Sequence, residues 1–273
     1  MKSLFIILLF SSAYIANGQY YFNDILTTKQ TNNQYSILKQ NKIRQVSATS
    51  YEADGSVTED FILSQQISSN SATIITTTEY PSSGKSISTS YYSNDKINKT
   101  IDSADNVKNT TTYTYDNNNI VSISTFTEDT FMHSASVQTH LWFYENETPV
   151  KMLLIKDNTD TTVVEFVKDE HGNVTEEHWK KKGRNADNYF YYYNEKHLLT
   201  DIVHFNLKAQ RLLPDFLFEY DDQGILIQFT QIPQGSDDYL VWQYVYNANG
   251  LKEKELCFNK TKQPVGRIEY TYR

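Results

Sequence analysis

A single cysteine, Cys257, stands in a chain of 273 residues, so no internal disulfide framework holds it together. A chain this long has enough apolar side chains to build a core without one. Cys257 lies between Leu256 and Phe258 with no basic cluster beside it, which reads as a small buried side chain rather than a reactive thiol. No run after the first residues reaches the roughly 20 apolar residues of a membrane-spanning helix. Positive charge is also scarce: the net charge is −8, and the one local basic run, Lys180-Lys181-Lys182-Gly183-Arg184, sits beside a polar stretch at 185–188. An acidic chain without a basic face is not built to bind nucleic acid.

The amino terminus has Lys2, a short apolar run from Leu4 to Phe10, and small residues at Ala16 and Gly18 ahead of Gln19. That is the pattern of a cleaved export signal over residues 1–18. The expected destination is the periplasm, the cell surface or the medium. Residues 19–45 form a lead-in with few β-branched residues, which fits a short helix after Asn23 or a segment capping the edge of the first strand. Residues 46–273 form the remaining domain.

That domain is repetitive. Tyr92, Tyr115, Tyr144, Lys168, Tyr193, Tyr220, Tyr246 and Tyr272 mark one phase, with separations of 23, 29, 24, 25, 27, 26 and 26. Turn-forming stretches follow most of them ("DNNN", "NEKH", "DDQG", "NANG"), and further turns lie midway ("PSSG", "SADN", "DNTD", "QGSD"). Between turns run short segments rich in Thr, Val, Ile, Tyr and Phe. The repeat is one β-hairpin of about 26 residues, and eight or nine hairpins follow one another. Tyr51, with "EADG" after it, reads as an earlier member of the phase, the interval of 41 to Tyr92 hiding a degraded copy.

Alternation assigns the faces. Tyr189, Tyr191 and Tyr193 share one, as do Phe216, Phe218 and Tyr220, and Trp242, Tyr244 and Tyr246. Glu165, Glu219, Gln243 and Glu269 interrupt the opposite face. The expected fold is all-β: an antiparallel hairpin meander in one curved or spiralled sheet, with closure on itself left open. The aromatic layer has two readings. As core it is the face the sheet must bury. As a surface, Tyr189, Tyr191, Tyr193, Phe216, Phe218, Trp242 and Tyr244 form a candidate ligand-binding face for glycan or peptide. The run "YFYYY" at 189–193 is aromatic on both faces, so some of its rings must lie outside the layer.

The phrases "YTYDNNNI", "FEYDDQGIL" and "YVYNANGL" resemble the YD repeat of Rhs-type proteins, with its Tyr-x-Tyr-Asp-x-x-Gly-x-Leu core. The resemblance covers several hairpins across about 50–273. It implies strand after strand laid into a spiralling sheet. The chain departs from the pattern in its longer period and in Asn119 and His197 where glycine is usual.

Chemistry-bearing constellations are sparse. His171 and His197 are one repeat apart, and so are His178 and His204, but a one-residue slip puts the latter two on opposite faces. No tight His pair marks a metal site, no Gly-x-Ser-x-Gly elbow marks a hydrolase, and the acidic turns lack calcium-loop spacing. Neither catalytic nor metal-binding residues are assigned, and no cofactor is expected. The expectation is a secreted or envelope-associated, non-enzymatic binding or scaffold protein with an unidentified protein or glycan partner. The alternatives are an outer-membrane β-barrel and a secreted hydrolase.

Overall fold

The structure, a computed structural model, describes residues 19–80, 84–181, 184–206, 210–233 and 238–273. The expected export signal, the turns "PSSG" and "QGSD" and the centre of the basic run therefore fall wholly or largely outside the described residues. A π-helical segment, Tyr21–Leu26, leads into helix α1, Thr27–Gln40. Eighteen strands follow: β1 Gln45–Glu52, β2 Ile62–Ile67, β3 Thr73–Tyr80, β4 Gly84–Ser93, β5 Lys96–Ala104, β6 Val107–Asp116, β7 Asn119–Asp129, β8 Ser134–Glu145, β9 Thr148–Lys156, β10 Asp160–Lys168, β11 Val174–Lys181, β12 Arg184–Tyr193, β13 Leu199–Asn206, β14 Arg211–Tyr220, β15 Leu226–Gln231, β16 Leu240–Tyr246, β17 Lys252–Asn259 and β18 Pro264–Tyr272.

Every strand pairs antiparallel with its sequence neighbours in one 18-stranded sheet, and β1 pairs with β18, so the meander closes into a barrel. The seam runs from Val46↔Tyr272 to Glu52↔Gly266. Closure settles what the lead-in does. No free edge exists at β1 for the helix to cover, because β1 has β2 on its other side. The helix lies inside the barrel instead. Barrels of 16–18 strands are wide enough to leave a channel when only side chains fill them. Here the N-terminal segment and the aromatic layer occupy that volume. Tyr20, Tyr21, Phe22, Ile25 and Leu26 pack on the walls of β7–β15. Tyr35 and Leu38 pack on Val46, Ile67, Ile74, Tyr92 and Ile97.

The repeat phase marks one end of the barrel, at which β2, β4, β6, β8, β10, β12, β14, β16 and β18 terminate. Tyr51 does not belong to it. Three strands, β2–β4, separate Tyr51 from Tyr92, and an odd number of strands returns the chain to the opposite end. The degraded copy in the interval of 41 is Ile67, which ends β2 in the phase of Tyr92 and is followed by the turn Ser68–Ser71 with Ser71 left-handed. Tyr51 faces outward under Arg267, whose guanidinium carbon lies 3.9 Å from the ring centroid.

The turns explain the recurring phrase. In the turns opened by Asp169, Asn194, Asp221, Asn247 and Asn259, the first side chain accepts the backbone N–H groups two and four residues on. The fourth residue is left-handed: Gly172, His197, Gly224, Gly250 and Lys262. Asp or Asn supplies the acceptor, and glycine tolerates the positive φ. Beyond many of these turns the ladder slips by one residue, as between Tyr192 and Tyr193, Glu219 and Tyr220, and Val245 and Tyr246.

Candidate functional site

In six repeats the last tyrosine does more than fill the core. Tyr115 Oη donates to the carbonyl of Ile97, Tyr144 to Ile120, Tyr193 to Val174, Tyr220 to Leu199, Tyr246 to Leu226 and Tyr272 to Lys252, at 2.6–3.1 Å. Each bond reaches the strand that leaves the preceding turn, beside its bulge, and ties one turn to the next. Burial pushes the Tyr220 and Tyr246 hydroxyls up to about 12, so they remain donors at any physiological pH.

The seven aromatic residues singled out from sequence all face the interior. Tyr189, Tyr191, Phe218, Trp242 and Tyr244 are buried, and Tyr193 and Phe216 are half-buried. Tyr21 meets Tyr191 edge-on at 5.4 Å, and Phe22 lies 5.4 Å from Phe216 and 5.5 Å from Phe218. The protein's own N-terminal segment thus covers Tyr191, Phe216 and Phe218. In the "YFYYY" run the extra rings, Phe190 and Tyr192, lie outside the layer, with Tyr192 47% exposed.

Charged groups inside the barrel escaped the sequence reading. Asp24, on the π-helical segment, holds His140 Nδ1 at 2.6 Å and Trp142 Nε1 at 3.1 Å through Oδ2. Asp215 Oδ1 lies 2.8 Å from His204 Nδ1, and its Oδ2 accepts Gln19 Nε2 at 2.6 Å. Glu255 pairs with Lys252 at 2.6 Å and accepts Tyr270 Oη at 2.8 Å. Glu177, fully buried, accepts four donors: the amides of Tyr20 and Tyr21, Trp179 Nε1 and Tyr191 Oη. It thereby caps the N-terminal helical segment from a distant strand. Burial raises the carboxyls of Glu177 and Asp215 above the usual range, and the hydrogen bonds to each oppose that shift. These partners are more than a hundred residues apart in the chain, except within the β11–β14 and β17–β18 hairpins, so spacing could not reveal them. The one available signal is a carboxylate in the phase otherwise given to aromatics, as with Glu177 two residues before Trp179.

The histidines fall as the repeat phase implies. His171 and His197 lie on neighbouring turns with ring centroids 4.6 Å apart. His178 faces outward to Glu176 and Asn188, whereas His204 faces Asp215 inside. Among the described residues no group of three His, Cys, Asp or Glu side chains is placed to hold a metal ion. Cys257 is buried, and desolvation pushes its thiol up to about 12. Two halves of the inner wall differ. From β2 to β7 it carries hydroxyl ladders, Gln65–Thr76, Thr78–Ser86 and Thr111–Thr125, around a small polar crevice beside Gln34 and Tyr35.

The outward face is polar at mid-height. Lys180 bonds Glu165 across β10–β11, Gln243 bonds Gln228, which bonds Glu219, across β14–β16, and Glu269 holds Lys254 and Arg267 on β17–β18. Apolar side chains do emerge: Phe126 and Phe143 on the wall, and Phe131 and Met132 at the β7–β8 turn. No helix among the described residues is long and apolar enough to cross a membrane.

No family model matches the chain, and no curated protein matches it. Among solved structures, the Photorhabdus luminescens Tc holotoxin pore is similar over 78% of this chain at 11% identity and a TM-score of 0.35, and this chain spans 12% of that one. A porin-like protein from Bacteroides vulgatus is similar over 85% of this chain and 98% of its own, at 11% identity and a TM-score of 0.28. A putative outer membrane lipoprotein-sorting protein domain from Vibrio parahaemolyticus is similar over 88% and 92%, at 9% identity and a TM-score of 0.17.

Proposed function

We propose that the protein is an exported, envelope-associated, non-enzymatic binding or scaffold protein, a short relative of the YD-repeat architecture. The observation that carries this reading is the occupied interior. A barrel whose lumen holds its own N-terminal segment is not an open channel, and its buried carboxylates serve as caps and counter-ions rather than facing a substrate pocket. Binding then falls to the outer wall and the two rows of turns. The seven inward aromatic residues become a ligand face only where the segment covering them gives way. The partner class, protein or glycan, follows from the exposed aromatic and methionine side chains at Phe126, Phe131, Met132 and Phe143.

A second reading, an outer-membrane barrel, is favoured by the even number of strands and the closed ring. The polar pairs at mid-height stand against it, because that zone must face lipid hydrocarbon in such a barrel. Purification of the exported chain without detergent decides between them. A monodisperse detergent-free protein supports the binding reading, and recovery only in detergent replaces it with the membrane barrel. A glycan array, with co-purification of envelope proteins alongside it, then separates glycan from protein partners.

A further inference from the structure

Five carboxylates lie inside the barrel wall or on the segment it encloses, and one of them, the half-buried Asp102, faces the hydroxyls of Ser88 and Thr100. Three have a cationic or imidazole partner: Asp24 has His140, Asp215 has His204 and Glu255 has Lys252. Glu177 is the most deeply buried, at 0% exposed, and no Lys, Arg or His among the described residues is hydrogen-bonded to it. Its four donors are neutral. Leaving an ionised carboxylate in such a place without a counter-charge is costly.

Two of those donors are the amides of Tyr20 and Tyr21, at 2.9 and 3.0 Å. Gln19, the residue before them, is itself buried, with Nε2 on Asp215 and with Oε1 buried and lacking any hydrogen-bond donor. The nitrogen of Gln19 is one peptide unit, under about 4 Å, from that of Tyr20. A free amino group at that nitrogen is an ammonium below its ordinary pKa of about 7.7–8.0.

We propose that hydrolysis of the Gly18–Gln19 peptide bond creates an α-ammonium on Gln19 that docks inside the barrel as the counter-ion of Glu177. In that reaction water adds across the bond, Gly18 leaves with the carboxylate, and Gln19 keeps the nitrogen and its protons. The exporting peptidase supplies the catalysis. The inference rests on the export reading above and adds to it that processing completes the core of the barrel. A chain that is not processed keeps a neutral amide at Gln19 and an uncompensated Glu177.

The full chain is to be exported from a bacterial host and its N-terminus read by intact mass. A start at Gln19 with a free amine is expected. A start elsewhere, or a cyclised Gln19, overturns the inference, and an unprocessed chain retained in the cytoplasm overturns the export reading as well. The processed protein is then treated with an acetylating N-hydroxysuccinimide ester at neutral pH. A docked ammonium is expected to react at least about a hundredfold more slowly in the folded than in the unfolded protein, as a group reached only by local opening does. Equal rates overturn the inference while leaving the export reading standing. In a double-mutant cycle, Glu177→Gln is measured in the processed protein and in one carrying a short extension before Gln19. A coupling of about tenfold in the unfolding equilibrium constant is expected, and equal effects in the two backgrounds overturn the pairing.

Discussion

Single residues in this protein act through repetition. The tyrosine that ends most repeats is legible as an aromatic rung, but its hydroxyl decides why tyrosine rather than phenylalanine stands there. Tyr220→Phe keeps the ring and removes the donor to the Leu199 carbonyl. It is expected to lower stability by about 1 kcal/mol, measured by urea denaturation, with the barrel intact by circular dichroism. His197 holds the left-handed slot with φ 58°, where its sibling turns have Gly172, Gly224 and Gly250. His197→Gly relieves a conformation that costs a side-chain-bearing residue about 1–2 kcal/mol, partly offset by a floppier unfolded chain, so a modest rise in Tm is expected. Asp102 faces inward between Ser88 and Thr100, and burial raises its carboxyl above the usual range against those hydrogen bonds. A raised folded pKa means that stability is fully present below the unfolded pKa and falls as pH rises through the folded one. Asp102→Asn removes that fall: the variant should gain Tm over the wild type above neutrality and match it in acid. An unchanged difference across a pH series of thermal melts would refute this.

Among the elements, the N-terminal helical segment is where sequence and structure part most clearly. A helix after Asn23 is legible from the scarcity of β-branched residues, and a helix forms. Its place is not legible, because a helix that caps an edge and one that fills a lumen present the same local pattern. Closure of the sheet makes the difference by leaving no edge to cap. Once inside, the helix is fixed by contacts to strands far away in the chain. Tyr35 stacks on Tyr92 with centroids 3.9 Å apart, and Asn32 Oδ1 accepts the amide of Ile97 beside the bulge that follows the β4–β5 turn. Tyr35→Ala removes the stack and leaves a void under β3 and β4. A loss of about 3–5 kcal/mol is expected, with hydrogen exchange rising first in β3–β5. A loss well under this range, with unchanged exchange there, would mean that the helix contributes little to that wall.

As a whole, the molecule depends on one seam. Seven residue pairs join β18 to β1, and without them both strands become open edges. Deleting residues 260–273 is expected to increase self-association, detected by light scattering, whereas the single substitutions above leave the association state unchanged. The amino-acid sequence by itself determined the strand content, the hairpin period, the turn chemistry, the inward aromatic phase and the outward positions of Glu165, Glu219, Gln243 and Glu269, because each follows from spacing within a few residues. The tertiary structure alone decided that the meander closes, that Tyr51 belongs to the opposite end, that the lead-in fills the lumen, and that Asp24, Glu177, Asp215 and Glu255 find their partners there. Closure is the sum of eighteen small strand rotations and the volume of side chains inside, and no local window of sequence carries that sum.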